Sequence, residues 1–173
     1  VYLSITTLDA DLARKLEPRA SAPARRVQAL RALADAGVPT GVMVAPVIPQ
    51  LNDRDLEAIL ESAAAAGATQ AGWIMLRLPR EVAPLFRDWL ATYCPDRAAH
   101  VMSIVNDLRG GRDYDSGFGT RMRGTGVFAD LIARRFEVAC RRLGLDAGRG
   151  RTPLDRSQFR PPAGDDGRQA SLF

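Results

Sequence analysis

The chain has 173 residues, a formal net charge of +4 and 46% hydrophobic residues, which is room for one domain with a packed core and a tail. No apolar stretch approaches the about 18 residues of a membrane span, and no basic, then apolar leader with a cleavage site opens the chain. A soluble, cytoplasmic protein is expected. The basic excess is nearly all arginine, Lys15 being the only lysine, so phosphate or carboxylate partners suit it; a GC-rich genome would leave the same bias. Cys94 and Cys140 stand far apart, with no CxxC or CxxxCxxC between them, which argues against a disulfide and against an iron–sulfur site built from these two thiols.

Val1–Thr6 (VYLSIT) reads as a strand from its β-branched and aromatic content, and Leu8–Leu16 as a short helix broken at Glu17-Pro18-Arg19. Ser21 is placed as the cap of a second helix with Pro23 in its first turn, a stripe of Val27, Leu30 and Leu33, and Gly37 at its end. Pro39–Val47 carries the continuous apolar run of a strand buried on both faces. Asn52 is expected to cap a third helix, with Asp53 and Asp55 near its positive end, Leu56, Ile59, Leu60 and Ala63 on one face, and Gly67 as its stop. Ala71–Leu76 is a third strand. Helical spacing then recurs through Val82–Tyr93, Val101–Leu108 and Phe128–Leu143, with a Gly- and Arg-rich loop at 109–126. From Asp146 the chain is polar and reads as a disordered tail.

Strands alternating with helices at this spacing predict parallel βα units, with function at the C-terminal strand ends: Ser4–Thr7, Pro46–Asp53 and Arg77–Pro79. No GxSxG, P-loop or metal-binding His pair is present, and His100 stands alone on a helix.

The segments SITTLDADLARKLEPRASAPARR and AGVPTGVMVAPVIPQLND, followed by a strand ending in LRLP, resemble the radical S-adenosylmethionine superfamily, in particular its spore photoproduct lyase-like subgroup. The likeness covers roughly residues 1–145; VAPVIPQLND is its most specific part, with Gln50 where the family typically has Gly. The resemblance implies a fold: the C-terminal half of a partial (β/α)6 TIM-type barrel in residues 1–80, then a helical extension over 81–145 and the tail over 146–173. It implies chemistry as well: a [4Fe-4S] cluster on CxxxCxxC reduces S-adenosylmethionine, whose cleavage yields methionine and a radical that abstracts a substrate hydrogen. By the same resemblance Ser4 and Thr6 meet the ribose hydroxyls, Arg19 the methionine carboxylate with Glu17 orienting it or meeting the amino group, and the Pro46–Pro49 region with backbone near Arg77–Leu78 the adenine. The cluster cysteines belong ahead of the barrel's first strand. A chain opening at Val1 inside a strand is therefore expected to be a fragment that neither holds the cluster nor cleaves the cofactor by itself.

Two further segments point to nucleic acid. The loop RGGRDYDSGFGTRMRG sets Arg109, Arg112, Arg121 and Arg123 among Tyr114 and Phe118, a mixture that binds phosphates and stacks bases. The final QASLF resembles the bacterial sliding-clamp binding peptide, with Gln169, Leu172 and Phe173 as its anchors. Three functions are thus weighed: a DNA-directed radical enzyme, a non-catalytic module that binds nucleic acid and clamp, and an unrelated partial barrel that takes a phosphorylated metabolite.

Overall fold

The computed structural model describes residues 1–147 together with 157, 159 and 160. In chain order the elements are β1 (Tyr2–Ser4), α1 (Ala10–Leu16), α2 (Pro23–Asp35), β2 (Gly41–Val47), a 3-10 turn (Asp53–Asp55), α3 (Leu56–Ala65), β3 (Gln70–Met75), α4 (Val82–Tyr93), α5 (Pro95–Asp107) and α6 (Val127–Leu143). The three strands run parallel in the order β1-β2-β3, with Tyr2 opposite Gly41 and Gly41 opposite Gln70.

The barrel expectation is overturned. The sheet is small and open, three strands among six α-helices, and it is not a partial TIM barrel. Closure needs each edge strand to find another strand at a fixed tilt and stagger. Here the outer edge of β3 is taken by irregular chain: Met75 N donates to Met122 O (2.9 Å), Ala71 N to Asp146 O (2.9 Å), and Asp146 N to Thr69 O (2.9 Å). β1 has three residues and pairs only with β2 among the described residues.

Helices pack on one side of the sheet. Ile5, Val42, Val44, Ala71, Trp73 and Met75 point into a core shared with Leu30 of α2, Leu56, Ile59 and Leu60 of α3, and Ile132 and Phe136 of α6. The alternate row comprises Tyr2, Ser4, Met43, Ala45, Gln70, Gly72 and Ile74. It is exposed or half-buried and belongs to neither core. Two close approaches flatten this bare face: a Cβ on Gly41 would lie 2.6 Å from the Tyr2 ring, and one on Gly72 2.8 Å from the Met43 methyl. A second core sits at the strand ends, where Ile48, Leu51, Leu76 and Leu78 meet Phe86 and Leu90 of α4 and Val101 and Val105 of α5.

The helical part from residue 81 is not set apart from the sheet. α6 lies against α3, where Arg135 donates to both carboxylate oxygens of Glu57 (2.8 and 2.6 Å) and Arg142 pairs with Glu61. Asp146, the expected start of the tail, bridges to Gln70.

Two capping expectations change. α2 begins after Ala22 with no side-chain cap, and the Ser21 carbonyl instead accepts from Arg26 Nε (2.9 Å). Asn52 does not cap the turn that follows it. Its Oδ1 accepts from Ile48 N (2.6 Å), and its Nδ2 donates to Thr6 O (2.7 Å) and Pro46 O (2.9 Å). A buried amide that closes three backbone bonds is better satisfied there than at a helix end open to water. The helix-capping role in the N-terminal part falls to Asp9, whose carboxylate accepts from Asp11 N (2.8 Å) and Leu12 N (3.1 Å) and opens α1.

Candidate functional site at the strand ends

The C-terminal ends of β1 and β2 are tied together by side chains. Ser4 Oγ donates to Ala45 O (3.0 Å) and Thr6 Oγ1 to the same carbonyl (3.2 Å), just before the cis Ala45–Pro46 bond. Asn52 links Thr6 to Pro46 from behind, and Thr7 donates to Asp55. Of these hydroxyls only Ser4 is exposed; Thr6 and Thr7 are buried. Each hydroxyl spends its single proton on the protein, so what Ser4 offers outward is a pair of acceptor sites.

Two arginines follow β1. Arg19 is exposed. Arg26 is the one held against β1: Nη1 donates to Ser4 O (2.9 Å), Nε to Ser21 O (2.9 Å), and Nη2 to Glu17 Oε2 (3.1 Å). Glu17 therefore orients Arg26, and two of the five guanidinium N–H bonds are left over. The pair lines a cavity of about 130 Å³ with Arg14, Pro18 and Pro23. That volume admits a few heavy atoms and not a whole cofactor. The signal for Arg26 lay in its position one turn into a helix opened by Pro23, which faces it back onto the preceding strand end.

At the end of β3, Arg77 is half-buried and turned into the 109–126 loop. Its Nη2 donates to Tyr114 Oη (2.8 Å), its Nη1 meets Met122 Sδ (3.7 Å), and its guanidinium lies 5.5 Å from the Tyr114 ring centroid. The four loop arginines do not form one outward basic patch. Arg109 is 2% exposed and donates to Leu76 O (2.7 Å), Thr120 O (3.1 Å) and Arg121 O (3.0 Å), tying the loop to β3. Arg123 stacks on the Trp73 indole at 4.2 Å, and Arg121 on the Phe118 ring at 5.3 Å. Arg112 is exposed. A further arginine, Arg87 of α4, clamps the loop through both oxygens of Asp113 (2.9 and 2.6 Å), and this contact holds the Asp113 carboxyl below its ordinary range.

The two thiols have different surroundings. Cys94 is half-buried at the α4–α5 turn. Cys140 is enclosed on the inner face of α6, where burial pushes its thiol up to about 11. Among the described residues no group of three or more His, Cys, Asp or Glu could hold a metal, and no helix is long and apolar enough to cross a membrane. The tail residues Gln169, Leu172 and Phe173 lie outside the described residues.

No family model matches the chain, and no solved structure matches it significantly. Uncharacterized proteins of Mycobacterium tuberculosis and Mycobacterium bovis are 37% identical to it over 106 residues, 60% of this chain and 31% of theirs. An uncharacterized protein of Acidianus two-tailed virus is 38% identical over 81 residues, 44% of this chain and 27% of its own length. The chain thus spans about a third of the length of the curated relatives it matches.

Proposed function

We propose that this chain supplies part of the S-adenosylmethionine-facing surface of a radical S-adenosylmethionine enzyme of the spore photoproduct lyase-like kind, with DNA as the substrate class. One observation carries the reading. At the C-terminal end of a parallel strand, beside a sheet face that no helix covers, exposed Ser4 gives its backbone carbonyl to the Arg26–Glu17 pair and turns its hydroxyl to Ala45 O.

The donor set fits the cofactor. Ser4 has acceptor sites left for a ribose hydroxyl, Arg26 has N–H bonds left for the methionine carboxylate, and Met43 and Ile74 offer apolar floor. The described residues do not fit a cluster, so its ligands lie elsewhere in this reading, and no step is assigned to it here. When bound, the cofactor supplies the hydrogen-abstracting radical chemistry. What this chain's residues do is hold the ribose and amino-acid ends at a fixed register: Asn52 locks the β1 and β2 ends together, and Glu17 keeps Arg26 aimed.

The test is methyl and amide NMR on the chain itself, titrated with S-adenosylmethionine. Saturable shifts are expected at the Met43 and Ile74 methyls and the Ser4 amide. R26Q should weaken S-adenosylmethionine by about tenfold, one charge-assisted pair, and leave 5′-methylthioadenosine, which lacks the amino-acid end, unchanged. Resonances that stay fixed up to the solubility limit of the cofactor refute the reading.

A further inference from the structure

Among the described residues four buried side-chain polar atoms have no partner: Arg77 Nε, Asn106 Oδ1, Arg109 Nε and Arg121 Nε. They are not scattered. Arg109 bonds the carbonyls of Leu76 and Arg121, and its own N–H bonds Asn106 O (2.9 Å), while Arg77 reaches into the same loop through Tyr114 and Met122. The end of β3, the end of α5 and the loop therefore share one small polar cluster.

An orphaned buried N–H is costly, and native structures hold few of them. Here three belong to the end of β3 and the 109–126 loop, and all three are guanidinium donors, so what this region lacks is an anionic acceptor. Its charge is unbalanced in the same sense. The groups acting on Arg109 are Asp115 and Tyr114, which favour its charge, and Arg77, which opposes it. Asp115 is already engaged by Gly117 N (2.9 Å) and by Thr120 Oγ1. The guanidiniums of Arg109 and Arg77 thus face each other with one occupied carboxylate nearby, while Arg121 follows in the chain beyond the carbonyl that Arg109 holds.

We propose that Arg77, Arg109 and Arg121 form a binding site for a phosphoryl group, closed over by the 109–126 loop. A phosphate monoester carries about −1.5 to −2 charge and three acceptor oxygens, which answers both deficits. Asn106 Oδ1, an acceptor, receives a hydrogen bond donated by a hydroxyl of the same ligand. The loop is built to part and reclose: Gly110 and Gly111 at one end (φ 66° and 82°) and Gly124 and Gly126 at the other (φ 77° and 88°) sit in the left-handed region that glycine tolerates. Phe118, 89% exposed, and Tyr114 flank the entrance as stacking surfaces for whatever bears the phosphate.

The same chemistry comes from a small phosphorylated molecule or from a nucleic-acid backbone, and one experiment separates them. Arginine Nε–Hε signals of the whole chain are followed by proton–nitrogen NMR and assigned with R77K, R109K and R121K. The probes are inorganic phosphate, thymidine 5′-monophosphate, and a single-stranded oligonucleotide without terminal phosphate, all at constant ionic strength. The expected result is a joint, saturable downfield shift of the three Hε signals with at least one probe, weakened about tenfold in R121K. R121K is the informative variant because Arg121 gives no side-chain bond to the fold, whereas Arg109 holds the loop. Response to phosphate and the mononucleotide identifies a small phosphorylated ligand; response to the oligonucleotide alone identifies a nucleic-acid backbone. Hε signals that move with none of the probes, or equally with sodium chloride, overturn the site. No probe contains S-adenosylmethionine, so this result stands or falls apart from the cofactor reading.

Discussion

Asn52 is one of the side chains on which the strand ends depend. One amide closes three backbone bonds that bind β1 to the turn after β2. Asn52→Leu keeps the volume and strands all three, so a loss of about 3 kcal/mol and a fall of roughly 10 °C in Tm are expected by calorimetry. The amide was misread from the sequence for a physical reason: an Asn before an acidic turn matches a helix cap, and nothing local reveals that Thr6, 46 residues earlier, competes for it. The cysteines give a second test at this scale. With its thiol pushed up to about 11 and its side chain buried, Cys140 should resist iodoacetamide at pH 8 until the chain is unfolded, while Cys94 alone labels in the native state. Equal labelling of both would contradict the enclosed position of Cys140.

Between elements, the seam of α3 and α6 depends on Arg135 and Glu57. The side-chain hydrogen bond from Arg135 depresses the Glu57 carboxyl. A depressed carboxyl contributes stability above its unfolded value, near 4.5, and loses it as pH falls through the lower folded value. Glu57→Gln should therefore cost about 1 kcal/mol at pH 7, and the gap from the parent chain should close in urea titrations below about pH 4. Asp53, at the same seam, is shifted the other way by burial, so its ionisation opposes folding as pH rises through its range. The elements themselves were largely legible: apolar runs marked β2 and β3, and helical spacing marked α3 to α6, because both signals are local. The fate of the loop arginines was not. Their partners are mostly carbonyls and aromatic faces, which leave no trace in residue spacing, so the loop read as a surface for phosphates and bases with no hint that Arg109 also clamps β3.

At the level of the whole molecule, the same limit explains the open sheet. Parallel βα units predict strands and crossovers, whereas closure depends on what lies along each edge, and here a loop and a post-helix segment occupy β3. Ser4, Thr6 and Asn52 meet at the strand ends, and the contact of Arg26 with the Ser4 carbonyl depends on how α2 turns back, which residue spacing does not display. Partner binding is testable at this scale too. If QASLF engages the sliding clamp, deleting Leu172 and Phe173 should abolish capture by immobilised clamp without altering the melting curve; retained capture would remove that proposal.

Trp73 and Trp89 lie in different cores, and among the described residues Trp73 is the tryptophan with a cation on its face, that of Arg123 from the 109–126 loop. A guanidinium over an indole perturbs its emission, while Trp89 stacks on Phe86 at 5.9 Å and donates its Nε1 proton to Lys15 O. The chain therefore contains its own optical gauge of loop position. In a Trp89→Phe background, any ligand that lifts the loop should change the colour and intensity of the remaining tryptophan, and in a Trp73→Phe background the same ligand should leave the light unchanged.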